Sequence, residues 1–174
     1  MKYIKRVAWI PTLFFAMVSY SAFAAGDPVT ITVTGNIVAS PCGVDPESVA
    51  KNVDLGDIQA ADMAAAGSAS PWASFTISLI NCPAGTTSVV ATFNGTSDPD
   101  DMDEGYLNTG TATNVDVQLE GSGGDHFGNG KTFYSTIGAD RAITYNLRAR
   151  AHSAKGGVMP GTVSSVITMS FTYN

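Results

Sequence analysis

The stretch GTVSSVITMSFTYN, Gly161 to Asn174, closes the sequence and decides how the rest is read. Val163, Ile167, Met169, Phe171 and Tyr173 stand on odd positions, with Thr162, Ser164, Thr168, Ser170, Thr172 and Asn174 between them on even ones. A period of two belongs to a half-buried β-strand, so a strand is expected over Gly161 to Asn174. A strand with so apolar a face needs a neighbour on each edge, and the sequence offers no residues after Asn174 to supply the next one. A partner from elsewhere is expected.

A segment of the same character lies near the other end. VTITVTGNIVA, from Val29, puts Val29, Ile31, Val33, Gly35 and Ile37 on one face and Thr30, Thr32, Thr34 and Asn36 on the other. Periodicity leaves open whether these two strands pair within one chain or between chains.

Upstream, MKYIKR is a positively charged leader, followed by the apolar run VAWIPTLFFAMVSYSAF and the small-residue site Ala22-Phe23-Ala24. This is the pattern of a cleaved export signal over residues 1–24, with no membrane anchor expected in the mature chain. The 150 residues that follow suit a single domain. Without Lys2, Lys5 and Arg6 they hold 6 basic against 15 acidic residues, a formal charge of −9. That balance excludes nucleic acid and anionic membrane surfaces as natural partners.

Two cysteines in an exported chain are expected to form a disulfide, Cys42 to Cys82. Its loop of about 40 residues implies roughly 4 kcal/mol in the chain-entropy account. His126 and His152 lie far from both cysteines in sequence, so neither a metal site nor a cofactor is expected.

Short strands are expected at Val53 to Ile58, Phe75 to Ile80, Val89 to Phe93, Val115 to Leu119 and Ile143 to Ala151. Gly43 to Asn52 reads as a turn-rich connection, Ala60 to Ser70 as a helical turn or loop, Gly95 to Glu104 as a polar loop, and Gly121 to Lys131 as a glycine-rich hairpin or longer loop. Many close-set strands without a βαβ rhythm mean an all-β sandwich.

The acid run Asp98, Asp100, Asp101, Asp103, Glu104 departs from a calcium loop at Pro99 and Met102 and lacks the closing Glu, so a solvated loop is expected. Gly121 to Gly124 precedes no helix or GK[ST], and no nucleophile elbow accompanies either histidine, so no enzyme is expected. Trp72, Tyr106, Phe127, Phe133 and Tyr134 fall in or beside expected loops, where rings either stack on sugars or plug the ends of a sandwich. Plugging is the expectation.

Taken together, the leader, the threonine-valine strand, Ser40-Pro41-Cys42, Val53-Asp54-Leu55-Gly56, Leu79-Ile80-Asn81-Cys82-Pro83, Thr92-Phe93-Asn94-Gly95, Asn114 to Leu119 and the Gly161…Tyr173-Asn174 ending resemble subunits of chaperone–usher fimbriae. The resemblance covers essentially all of 25–174 and is nearest the minor tip adaptors of type 1 fimbriae. It implies an incomplete immunoglobulin-like β-sandwich lacking its final strand, over 39–174, preceded by a donor-strand extension, 25–38. It further implies that Val29, Ile31, Val33, Gly35 and Ile37 enter a neighbour's groove, and that a periplasmic chaperone binds Gly161, Val163, Ile167, Met169, Phe171, Tyr173 and Asn174. The partners implied are that chaperone, an outer-membrane usher and neighbouring subunits including a tip adhesin, with a fimbria at the cell surface as the destination. A major rod subunit is the second reading within the class, and a single-domain sugar-binding adhesin the second outside it.

Overall fold

The longest strand, β9 at Ile143–Ser153, shows how the sequence builds the fold. Ile143, Tyr145, Leu147, Ala149 and Ala151 are buried, while Thr144, Asn146, Arg148, Arg150 and His152 point the other way, so one face enters the core and the other carries polar groups. The computed structural model describes residues 29–174; the expected leader and residues 25–28 lie outside the described residues. The chain separates into two units at Asn36.

Of the first unit, Val29 to Asn36 is described, and it forms no strand. Val29, Ile31 and Val33 are 85, 81 and 88% exposed, and a Cβ on Gly35 would meet nothing within 4 Å among the described residues. The alternation expected over Val29 to Ile37 is present in the sequence, but among the described residues its N–H and C=O groups meet no ladder partner, so it makes no strand.

The second unit holds two antiparallel sheets. The larger joins β1 (Gly43–Val44), β3 (Ala73–Ile80), β9, β7 (Asp116–Gly121), β6 (Asp101–Leu107) and β5 (Ser97–Asp98) in that order, with β2 (Ser68–Ala69) also on β9. The smaller runs β10 (Thr168–Tyr173), β4 (Ser88–Asn94), β8 (Thr132–Thr136). Leu79, Leu119, Leu147 and Tyr145 from the first meet Val89, Ala91 and Phe93 from the second in one core. The result is an all-β sandwich of incomplete immunoglobulin-like form. The Cys42–Cys82 disulfide is present, with both cysteines buried at the junction of β1 and the end of β3.

Several elements differ from the sequence expectation. Val53 to Ile58 is not a strand: Asp54 Oδ1 accepts from Gly56 N, and Gly56 turns at φ +69°, which breaks extended backbone there. Gly95 to Glu104 is not a solvated loop but most of the β5–β6 hairpin, with Asp98 9% exposed. The connection after Cys42 contains β1 and a short helix, α1 (Pro46–Val49), capped by Asp45. β8 was not anticipated, because Thr132 to Thr136 shows no apolar alternation; its strand form comes from pairing with β4. Tyr106 is not a loop ring: it lies in β6 with 0% exposure and donates to the Phe127 carbonyl at 2.8 Å; Phe127 stays in the connection between β7 and β8 and, as expected of a plugging ring, is buried against Phe93 at 4.4 Å. Ala60–Met63 is a single 3₁₀ turn, as expected of that stretch.

Candidate functional site: a groove beside the last strand

The closing stretch is held in two different ways. Thr168 to Tyr173 pairs antiparallel with β4, Met169 opposite Phe93, Phe171 opposite Ala91 and Tyr173 opposite Val89. Gly161 to Ser164 instead lies against the loop Asn108 to Ala112: Ala112 N donates to Thr162 O at 3.0 Å, Thr109 N to Ser164 O at 2.7 Å, and Ser164 N to Asn108 Oδ1 at 2.8 Å. The strand expected over Gly161 to Asn174 is therefore shorter, because backbone N–H groups of the loop take the Thr162 and Ser164 carbonyls while the Thr111 hydroxyl and Asn108 amide oxygen accept from their N–H groups. Gly161 is needed there, since a Cβ would land on Ala112 N and lie 2.6 Å from the Thr111 carbonyl carbon.

The period of two survives both modes of attachment. Val163, Ile167, Met169, Phe171 and Tyr173 are half-buried and their even neighbours exposed. The Asn174 main-chain oxygen accepts from Thr87 N at 2.7 Å and Ser88 N at 3.1 Å, and Thr87 Oγ1 adds a third donor at 3.2 Å. Burial lifts the Tyr173 phenol above its usual range.

β10 pairs with β4 on one edge and, among the described residues, with nothing on the other. Beside that free edge runs a groove of about 1310 Å³. Val53, Leu55 and Ile58 line it from the irregular segment before Ala60, Val163, Ile167, Met169 and Phe171 from the closing stretch, and Phe75, Phe93, Leu119 and Leu147 from the core. Core side chains that a complete sandwich would seal thus face an open trough. A free strand edge above an apolar trough has the geometry to accept one extended segment, main-chain groups pairing with β10 and alternate side chains filling the trough.

The family model described as fimbrial protein matches residues 31–174. The chain belongs to the fimbrial protein family. Over the full length of both chains it is 36% identical to Protein FimG of Escherichia coli K12. It is 40% identical to the S-fimbrial adhesin protein SfaS of Escherichia coli O6:K15:H31, with 90% of each chain covered. The P pilus rod subunit PapA shares the fold, with a TM-score of 0.65, 24% identity and 78% of this chain matched to 100% of that one. As a fimbrial protein the chain is a subunit of chaperone–usher pili, which are surface structures built from subunits that pair with one another.

The polar face of the larger sheet lies apart from the groove lining. There β7 and β9 set three polar pairs opposite each other, Asp116 with His152, Gln118 with Arg150 and Glu120 with Arg148. Trp72 lies across both guanidiniums, 4.8 Å from Arg148 and 4.2 Å from Arg150, so its ring is already stacked by the protein. Asp116 is 2% exposed, and burial, partly offset by His152, raises its carboxyl to about 6. His152, far from both cysteines in sequence, meets two carboxylates, Asp116 and Asp101, which come from other strands. No sequence pattern marked this cluster, because its members are brought together only by the pairing of β6, β7 and β9.

Proposed function

We propose that this fimbrial subunit is a minor tip adaptor, joined to its neighbours by donor-strand exchange. Its own groove accepts an extension from one neighbour, and Val29 to Ile37 enters the groove of another. The observation that carries the reading is the edge of β10 over the 1310 Å³ trough, unpaired among the described residues, in a chain whose Val29, Ile31 and Val33 are exposed there. The full-length match to FimG favours an adaptor over a rod subunit.

Before assembly, a periplasmic chaperone holds Gly161 to Asn174 and lends a strand to the groove, and an outer-membrane usher passes the subunit to the cell surface. In the fibre the chain links a tip adhesin, or another adaptor, to the next subunit, and it catalyses nothing. The test is to express the chain with its own chaperone and sister subunits, pull it from the periplasm, and identify what comes with it. Recovery of the chaperone, and of an adhesin or adaptor at one copy per chain, supports the role. Recovery of long homopolymers of this chain alone would make it a rod subunit.

A further inference from the structure

We infer that Asp101, Asp116 and His152 form a binding site for a divalent transition metal, zinc by its ligand chemistry. Their ligand atoms all lie within 4.8 Å of one another, and each comes from a different strand, β6, β7 and β9. His152 Nδ1 is 3.0 Å from Asp116 Oδ2 and 3.4 Å from Asp101 Oδ2. Ligands about 2.1 Å from a zinc ion stand about 3.4 Å apart in a tetrahedron, so a small closure of these atoms around an ion suffices.

Two further features point to a cation beyond the clustering itself. Asp116, 2% exposed, has both oxygens on that single ring nitrogen, the second at 3.3 Å, so a buried carboxylate with room for about four donors shares one. Asp98 and Asp101 add negative charge nearby, while Lys155 is held by Asp100 at 2.7 Å. One imidazole faces two carboxylates, with the charge of Asp98 acting on Asp116 beside them, and a divalent ion would correct that imbalance.

The surroundings support the ligands. Gly105, on β6, is where a Cβ would come 2.9 Å from Asp101 Cβ and 3.0 Å from the Asp116 carboxyl carbon, so the convergence of the two carboxylates depends on that glycine. Gln118 Nε2 donates to Asp101 Oδ2 at 2.8 Å while its Oε1 accepts from Arg150 at 2.8 and 3.0 Å, which orients the carboxylate from behind. A polar recess of about 180 Å³ lined by Asp98, Asn108, Asn114, Asp116 and Lys155 opens beside Asp116. An imidazole ligand and only two carboxylates suit zinc and not calcium, which takes six to eight oxygens. The ion would tie the start of β6, whose register pairs with β7 cover only Gly105 to Leu107, to the two central strands.

The experiment is calorimetric titration of the full chain, stripped of metal with a chelator, with zinc and separately with calcium. Saturable binding of one zinc per chain, at least tenfold tighter than calcium, is expected. Asp101→Asn and His152→Gln should each weaken it tenfold or more. His126→Gln should leave it unchanged; His126 sits 3.3 Å from Glu104 and 3.6 Å from Glu120 and is the competing location. Circular dichroism and an intact disulfide verify folding, and if His152→Gln misfolds, Asp101→Asn decides. Absence of saturable zinc binding, retention of it in Asp101→Asn, preference for calcium, or its loss in His126→Gln alone would each overturn the assignment.

Discussion

A peptide covering Asp27 to Ser40 should displace the chaperone from a neighbouring subunit with a sharp odd–even dependence on sequence. Val29, Ile31, Val33 and Ile37 are 85, 81, 88 and 104% exposed in the free chain, so nearly all of their apolar surface is available for burial on insertion. At about 0.8 kcal/mol per buried methylene, Ile31→Ala removes about 2.4 kcal/mol and Val33→Ala about 1.6 kcal/mol. These correspond to roughly 50-fold and 15-fold in affinity. Thr32→Ala, on the opposite face, should change it by no more than about twofold. Gly35→Leu adds a side chain on the inserting face, and overpacking of about 2 kcal/mol should slow displacement roughly 30-fold. The same change should leave the chain's own fold intact, because a Cβ at Gly35 meets nothing within 4 Å among the described residues. The assay mixes each peptide with a chaperone-bound acceptor subunit and follows release of the chaperone. Equal rates for the Ile31→Ala, Thr32→Ala and Gly35→Leu peptides would show that this segment, or this face of it, is not the donor.

Four further outcomes are expected of the chain with its groove filled by a donor peptide. Replacing both Cys42 and Cys82 by Ala should cost about 4 kcal/mol from the 40-residue separation, read as the shift in a urea unfolding curve. Gly161→Ala should lower the melting temperature by about 5 °C, since overpacking by about 1–3 kcal/mol must move backbone at Thr111 and Ala112. Tyr106, whose phenol burial pushes up to about 12 from 10, contributes stability that is complete below pH 10 and lost as pH rises toward 12. That loss, at most about 2.7 kcal/mol, should make the wild type fall more steeply with alkaline pH than Tyr106→Phe, and parallel curves would contradict the assignment. On a glycan array no specific binding is expected; saturable binding abolished by Trp72→Ala would replace the adaptor role with an adhesin.

Alternation is a local property, which is why it was legible. Residues two apart along a strand share a face whatever lies across the sheet, so Val163 to Tyr173 announced a half-buried strand and Ile143 to Ala151 a core one before any partner was known. Export and the even cysteine count likewise marked the Cys42–Cys82 pair. Where local chemistry competes with alternation the reading failed: the turn from Asp54 to Gly56 broke one expected strand, and the Asn108–Ala112 loop took the backbone of Gly161 to Ser164 out of another.

What the sequence determined by itself is therefore a set of faces, an all-β class and an alternating apolar face from Val163 to Tyr173. Which edge stays free, how deep the trough beside it runs, and that Asp101, Asp116 and His152 converge are decided by pairing between segments far apart in the chain. Such pairing depends on register across strands and on space left by residues like Gly105 and Gly161, and neither is encoded in any one stretch.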